Sequence, residues 1–195
     1  MSPHITLKTT LKQQVKLSDS EIDTIVQQFS PITLKKKQTF QPIHNKVTSI
    51  GFLVNGTLQS QIVDMQGNLK TDFFAVPHQF ITDLNGFILG APSLMHIEAA
   101  SESTLLSLSI EKMHQLQNDI PRLGEYVQRL CIVSLLDTLQ KQRKCRCGTV
   151  EERLLAFGQE YPHLEQAVAA KSIASFLEMD QATLCRVRKN RWKYP

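Results

Sequence analysis

The feature that most constrains the fold is a series of short strand-forming segments between Ile32 and Ile110. Residues 49–54 and 59–63 are two such segments, and residues with turn-forming side chains separate them. The turn signals are Asn55-Gly56, Gln66-Gly67-Asn68 and Asn85-Gly86, of which the first is typical of a hairpin. Because no helical pattern lies between the segments, they predict an antiparallel barrel or roll.

Helical patterns flank the strand-forming region on both sides. Before it, Ser18 and Glu21 have the spacing of a capping box, followed by apolar residues on one helical face. Well after it, Thr149 and Glu152 have the same capping-box spacing at the start of another helical pattern. After it, Ser109 precedes a short helix, and a longer apolar pattern begins beyond Pro121. This longer pattern has near-helical period at Leu123, Tyr126, Val127, Leu130, Val133, Leu136 and Leu139.

The longer helix is predicted to make a dimer contact. Ile132 and Leu135 lie outside its main apolar stripe, and a helix that is apolar on more than one face needs two packing partners. The roll supplies one partner, and the same helix of a second subunit supplies the other. The predicted contact residues are Leu123, Val127, Leu130 and Val133. The alternative is a helix buried between two domains of a monomer.

Charge is divided unevenly along the chain, which has a net charge of +4. Residues 1–121 contain nine lysines, no arginine and ten acidic residues, whereas residues 122–195 contain thirteen basic and eight acidic residues. A near-neutral part joined to a basic part indicates that the C-terminal part binds a polyanion. A solvated basic surface would have the same composition.

Residues 170–189 carry the pattern most specific for function. Two short apolar helical faces, one with Ile173, Ala174 and Leu177 and one with Leu184 and Val187, are separated by a break at 178–180. Asp180 is placed to cap the second helix. This spacing predicts a helix-turn-helix whose second helix enters the major groove of double-stranded DNA. An ordinary two-helix corner would share the apolar spacing.

The side chains of the second helix suggest how DNA would be bound. Gln181 and Arg186 are predicted to contact bases, because Gln pairs with adenine and Arg with guanine through two hydrogen bonds. Arg188, Lys189 and Arg191 are predicted to contact phosphates, with Lys193 extending the basic cluster. That cluster favours the helix-turn-helix over an ordinary corner.

The order of elements resembles that of the Crp–Fnr family of bacterial regulators over almost the whole chain. The most similar text is TVEERLLAFGQEYP at 149–162 and KSIASFLEMDQATLCRVRK at 171–189, which resembles short, Bacteroidetes-type members. IGFLVNGTL at 50–58 is similar to a strand pair of the family's cyclic-nucleotide-binding roll. The resemblance implies an α+β fold with a cyclic-nucleotide-binding-like antiparallel β-roll (1–118), a long dimerisation helix (119–144) and a C-terminal helix-turn-helix domain (145–195).

The chain departs from the family's ligand pocket. That pocket has a Gly-Glu pair followed by an Arg and a small hydroxyl residue, but residues 78–97 contain no Gly-Glu pair, and no Lys or Arg occurs between Lys70 and Lys112. Burying a phosphate without a cation or a cluster of donors is costly. We therefore expect no cofactor and no cyclic AMP, and the identity of a small-molecule effector stays open.

The chain also departs from the family's DNA-binding pattern. Glu178 stands where the family usually has Gly, and a positive φ there would cost about 1 kcal/mol. Thr183 and Arg186 match the family's second helix, but Gln181-Ala182 replaces its Arg-Glu pair. The family's best-known operator is therefore not transferred to this chain.

The cysteines and histidines are the residues of this chain that could serve as metal ligands or redox groups. Cys145 and Cys147 would suit a low-pKa thiol pair or half a metal site, but ordinary hinge cysteines fit as well. Cys131 and Cys185 are interpreted as small packing residues. His44, His78 and His96 fall in the strand-forming region without a recognisable metal-binding spacing, so no metal site is predicted.

No catalytic motif occurs: the chain lacks a phosphate-binding glycine loop, a nucleophile elbow and HExxH. No apolar run is long enough for a membrane span, and the N-terminus has no signal-peptide pattern, so a cytoplasmic protein without a membrane partner is expected. The sequence thus predicts a homodimeric, sequence-specific DNA-binding transcription regulator and no enzyme. One rival is a ligand-binding module whose helix-turn-helix serves in protein contacts; another retains cyclic-nucleotide binding through backbone donors.

Overall fold

A computed structural model describes the backbone of residues 2–191 and the side chains of residues 2–189. The helices are α1 (Pro3–Gln14), α2 (Asp19–Gln27), α3 (Leu84–Leu89), α4 (Ile110–Asp119), α5 (Pro121–Arg146), α6 (Val150–Glu160), α7 (Leu164–Ala167), α8 (Ala170–Phe176) and α9 (Gln181–Arg191). The strands are β1 (Ser30–Leu34), β2 (Thr39–Gln41), β3 (Ser49–Asn55), β4 (Leu58–Val63), β5 (Leu69–Ala75), β6 (Phe80–Ile81), β7 (His96–Ala99) and β8 (Ser103–Ser109). They form two compact units, Met1–Ser60 with Phe74–Val133, and Gln61–Phe73 with Ser134–Pro195.

The strands form two four-stranded sheets, in the orders β1-β8-β3-β6 and β2-β7-β4-β5. Strand β8 is antiparallel to both β1 and β3, pairing Leu105 with Ile32 and Leu106 with Phe52. Residues 50–53 of strand β3 are buried in succession. Since successive side chains of a strand point to opposite faces of the sheet, both faces of β3 are covered. The predicted antiparallel roll is confirmed.

Two of the predicted turns differ in the structure. Asn55-Gly56 turns the chain from one sheet into the other rather than closing a hairpin, since β3 and β4 belong to different sheets. Gly56 has a φ of 89°, and a Cβ there would collide with the Glu102 carbonyl oxygen. Asn85 and Gly86 lie within helix α3, whose first turn is capped by the Asp83 side chain. The prediction of an uninterrupted strand region was therefore wrong at this helix.

Helices of the first unit pack on the β3–β8 face. Ile50, Phe52 and Leu106 share one buried cluster with side chains from α1, α2, α4 and the beginning of α5. Helix α2 begins with the predicted capping box, in which Ser18 and Glu21 satisfy each other's backbone amides. Helix α1, whose apolar residues are few, had no distinct signal in the sequence.

Helix α5 has the length of the predicted dimerisation helix but begins and ends two residues later, running from Pro121 to Arg146. Its last turn therefore includes Cys145 and Arg146, which the predicted bounds placed in the C-terminal domain. Leu123 and Val127 are buried in the core of the first unit. They are not available to a partner, which corrects their assignment as dimer contacts.

The second unit is a small helical core joined by the outer part of the β4–β5 hairpin. Helix α6 begins with the predicted capping box of Thr149 and Glu152. Three aromatic rings, Phe157, Tyr161 and Phe176, lie 5.2–5.9 Å apart between their centroids and fill the middle of the unit. The same core buries the inner faces of α8 and α9.

Candidate nucleic-acid interface

Helices α8 and α9 form a helix-turn-helix at the predicted position. Ala174 is 3% exposed, and this small residue lets α9 pack closely against α8 through Leu184, which is fully buried. Ile173, Leu177 and Val187 complete the contact and are also buried. The apolar spacing read from the sequence is therefore the packing face of the two helices.

The turn between the helices is held by local hydrogen bonds. Leu177 ends α8, and Glu178 follows it with a φ of 54° in the left-handed region. The Met179 amide donates to the Ala174 carbonyl at 3.0 Å. Asp180 then caps α9: its Oδ1 accepts from the Thr183 amide at 2.8 Å, as predicted from sequence. Hydrogen bonds from Thr183 hold the pKa of the Asp180 carboxyl below its ordinary value.

Two arginines brace the turn from outside the helix-turn-helix. Arg153 of α6 donates through Nη1 to the Leu177 carbonyl oxygen at 2.8 Å. Arg146 donates through Nε to the Phe176 carbonyl oxygen at 3.2 Å. These bonds satisfy carbonyl groups that the end of α8 leaves unpaired. Sequence reasoning missed both residues because nothing in their local pattern indicates a distant carbonyl partner.

The outward face of α9 is polar and basic. The exposed residues among its described side chains are Gln181, Ala182, Cys185, Arg186 and Lys189. At 100° per residue they occupy an arc of about 140° on one side of the helix. The predicted base-contact residues Gln181 and Arg186 lie near the two edges of this arc, and Lys189 lies between them.

Cys185 does not pack in the core, which corrects the sequence interpretation. It is exposed on the outward face of α9, one turn before Lys189. The physical reason is helical phase: Leu184 and Val187 occupy the inner side, and position 185 lies about 100° from Leu184. Cys185 is thus a site residue that the sequence analysis missed, although its place in the helical period would have indicated it.

Arg188 differs from the other basic residues of α9. Its side chain is 23% exposed, and Nε lies 3.9 Å from Glu165 Oε2. The Nε and Nη2 atoms are buried and have no hydrogen-bond partner among the described residues. This orientation faces the unit's own interior, so it lends no support to the predicted phosphate contact. The side chains of Arg191 and Lys193 lie outside the described residues.

The remaining dimer-helix predictions, Leu130 and Val133, lie near the middle of α5. Leu130 is half-buried, whereas Val133 is 52% exposed. A stripe with the spacing i, i+3, i+4, i+7 is exposed beside it: Ile132, Leu135, Leu136 and Leu139. This exposed set, and not Leu123 and Val127, is the apolar surface of α5 that is accessible to solvent.

In the roll, the stretch compared above with the family's ligand pocket contains a buried, hydrogen-bonded carboxyl group, that of Asp83. Asp83 is 1% exposed; its Oδ1 accepts from the Asn85 amide at 2.8 Å. Its Oδ2 accepts from the Ser93 hydroxyl at 2.8 Å and from the Leu94 amide at 2.7 Å. The donors at the start of α3 and in the following loop are therefore already used by a negative charge of the chain itself.

The cysteine pair does not form a reactive thiol site. Cys145 is fully buried, and desolvation raises the pKa of its thiol to about 11. Cys147 is exposed at the end of α5. The alternative of a low-pKa pair was therefore wrong for Cys145, because burial outweighs the nearby cations.

The described residues offer neither a metal site nor a membrane-spanning helix. No group of three or more His, Cys, Asp and Glu side chains there has the geometry to hold a metal ion. None of the helices in that part of the chain is both long enough and apolar enough to cross a bilayer.

The chain is similar in fold to several solved structures, although its sequence identity to them is low. No protein-family model matches the chain. No curated protein matches it either. FixK2 from Bradyrhizobium japonicum superposes with a TM-score of 0.74 at 12% identity, over 85% of each chain. A protein classed as a Crp/Fnr-family transcriptional regulator from Eubacterium rectale superposes with a TM-score of 0.72 at 15% identity, over 94% of this chain and 87% of that one.

A third solved structure superposes on a similar share of this chain. The c-di-GMP-responsive global regulator CLP from Xanthomonas campestris superposes with a TM-score of 0.69 at 15% identity, over 90% of this chain and 92% of that one. The three superpositions cover 85–94% of this chain. The chain therefore has the fold of the Crp–Fnr regulators.

Proposed function

We propose that this protein is a DNA-binding transcription regulator of the Crp–Fnr family. The observation that supports this most strongly is the outward face of α9, where Gln181, Arg186 and Lys189 are exposed on a helix whose start is fixed by a capped turn. A helix presented in this way has the size and side chains to enter a major groove and contact base edges. The shared fold with FixK2, CLP and the Eubacterium rectale protein supports the same function.

We further propose that the protein acts as a homodimer through α5. Ile132, Leu135, Leu136 and Leu139 are 38–61% exposed, and their spacing of three and four residues is that of a two-stranded coiled coil. A second copy of the same stripe would remove these side chains from water. Two α9 helices in such a dimer would address half-sites about 34 Å apart.

The roll is proposed to act without cyclic AMP or cyclic GMP. Asp83 uses the donors of the α3 segment, and a second anion beside its buried carboxylate would be repelled. The segment from 71 to 111 contains no Lys or Arg to offset that repulsion. The effector would then be a less anionic molecule, or the protein would act constitutively.

Fluorescence anisotropy with duplex DNA tests the proposed function. Arg186→Ala is expected to cost about 1–3 kcal/mol on a selected site and to relax preference at one base pair. Lys189→Ala is expected to weaken binding to all sequences alike and to lower the salt slope by about one unit. Lys112→Ala, an exposed lysine of α4 in the other unit, is the matched control.

The anisotropy measurement also separates the rival function. A helix-turn-helix that serves only in protein contacts would leave duplex affinity unchanged in both α9 variants. The same titrations would then show no difference between Lys189→Ala and the Lys112→Ala control. Such a result would contradict the proposal that α9 binds DNA.

A further inference from the structure

The outer part of the β4–β5 hairpin, residues 61–73, contacts the helix-turn-helix within the second unit. The Thr71 amide donates to Ser175 Oγ of α8 at 2.9 Å. Asp72 accepts from the last turns of α5: Gln142 Nε2 lies 2.8 Å from Asp72 Oδ1 and 3.1 Å from its carbonyl oxygen. A strand that leads into the roll is thus joined by hydrogen bonds to the DNA-binding helices.

Arg146 connects the two sides of this contact. Its Nη2 donates to the Asp72 carbonyl oxygen at 3.1 Å and lies 3.4 Å from Asp72 Oδ1. Its Nε donates to the Phe176 carbonyl oxygen at 3.2 Å, at the end of α8. The guanidinium carbon also lies 5.4 Å from the centroid of the Phe176 ring, a cation–π distance. One side chain therefore holds strand β5 and the turn of the helix-turn-helix at once.

A cleft of about 570 Å³ separates the hairpin from the turn beside Arg146, and its walls include Ile62, Lys70 and Met179. Arg146 and Asp72 are only 23% and 16% exposed, so their ion pair is less screened by solvent than a surface pair. The pair consequently has more influence on the turn than a surface ion pair would have.

We propose that Arg146 is the positioning residue through which the β4–β5 hairpin holds the helix-turn-helix. On this proposal, which rests on the proposed DNA-binding function, the affinity for DNA depends on where the hairpin lies. A displacement of strand β5 changes the Asp72–Arg146 link, and Arg146 passes the change to the Phe176 carbonyl and the turn that begins α9. The hairpin is therefore a regulatory input to the DNA-binding helix, separate from the dimer surface of α5.

Three variants of the full chain test the proposal by DNA affinity. Asp72→Ala and Arg146→Gln are each expected to lower the affinity for a selected site about fivefold. The affinity of the double variant is expected to equal that of the single variant with the lower affinity. Non-additivity is expected because both substitutions break one link. Arg143→Gln removes an exposed arginine one turn earlier on α5 and should stay within about twofold of wild type.

Two readouts separate positioning from other roles of Arg146. The salt slope should be unchanged in Arg146→Gln, since a slope lower by about one would show a direct phosphate contact and overturn the proposal. Without DNA, amide hydrogen exchange of residues 177–180 should be faster in Asp72→Ala, whose substitution lies outside the helix-turn-helix. Exchange identical to wild type, or an Asp72→Ala affinity within twofold of wild type, would overturn the link to the hairpin.

The hydrogen-exchange readout distinguishes this proposal from the proposed function. If the wild type bound no DNA but Asp72→Ala still accelerated exchange at 177–180, the DNA-binding function would fail and the link would stand. If the wild type bound DNA and neither readout changed in Asp72→Ala, the link would fail and the function would stand. Far-ultraviolet circular dichroism of each variant verifies that the helices are retained.

Discussion

The Asp180 carboxylate holds Thr183 by two hydrogen bonds, one to the Thr183 amide at 2.8 Å and one to its hydroxyl at 2.6 Å. This pair determines where α9 begins, because the first amides of a helix lack partners within it. The position at which α9 starts in turn sets which residues lie on its outward face. The cap therefore contributes to the proposed DNA-binding surface by fixing where α9 begins.

Asp180→Ala is expected to lower Tm by about 2–4 °C, because the Thr183 amide loses its acceptor. Asp180→Asn, which is an equally good cap, is expected to stay near wild type. Differential scanning calorimetry measures both variants. Equal Tm values for the alanine variant and wild type would show that the cap has no part in stabilising α9.

The same cap gives an expected dependence on pH. Because the pKa of Asp180 is lowered in the folded protein, its contribution to stability is complete above the ordinary value of 3.8 and is lost as pH falls below it. Wild type should therefore lose more stability than Asp180→Asn between about pH 4 and the lower folded-state pKa. Parallel loss in the two proteins would contradict a role for the carboxylate charge.

Glu178→Gly is expected to stabilise the protein by about 0.5–1 kcal/mol, since a φ of 54° is unfavourable for a residue with a Cβ. Urea unfolding followed by circular dichroism measures the change. Met179→Gly is the matched control, and because Met179 lies outside the left-handed region it should be destabilised instead. A destabilised Glu178→Gly would mean that the Glu178 side chain, 3.6 Å from Arg146 Nε, outweighs the backbone strain.

These turn residues show what the sequence can predict. Three helix caps each join a side chain to the backbone amide three residues later, so the sequence spacing predicted them correctly. These three caps are those of Ser18, Thr149 and Asp180. The packing face of α8 and α9 was also predicted, because helical period places Ala174 and Leu184 directly.

Contacts between residues distant in sequence were not predictable in this way. The Asp72–Arg146 link spans 74 residues, and no local pattern indicates it. Helix α3 was missed because only six residues form it, and Asn85-Gly86 has the composition of a turn. Leu123 and Val127 were assigned to the dimer because the helical period shows which residues share a face, but not which body that face contacts.

Dimerisation through α5 is expected to fail in Ile132→Glu/Leu136→Glu, because association would bury two charges in each subunit at the seam. Sedimentation equilibrium should show a dimer for wild type and a monomer for the double variant. Gln140→Glu, which adds one negative charge at an exposed polar position of α5, is the control and should remain dimeric. A monomeric wild type would contradict the proposed interface.

Neither cyclic AMP nor cyclic GMP is expected to bind at physiological concentration, because Asp83 already uses the donors of the α3 segment. Isothermal titration calorimetry should detect no saturable heat with either nucleotide. The control titration is duplex DNA, which shows that the sample is active. A dissociation constant in the low micromolar range would contradict the account of the roll.

The measurement that tests the central claim most directly is selection of binding sites by the full-length protein from a random duplex DNA library. The account predicts an enriched near-palindromic motif whose half-sites are one helical turn, about 34 Å, apart. Arg186→Ala should select a motif with relaxed preference at one base pair of each half-site. A library with no enriched motif for the wild type would contradict the claim that α9 reads DNA sequence.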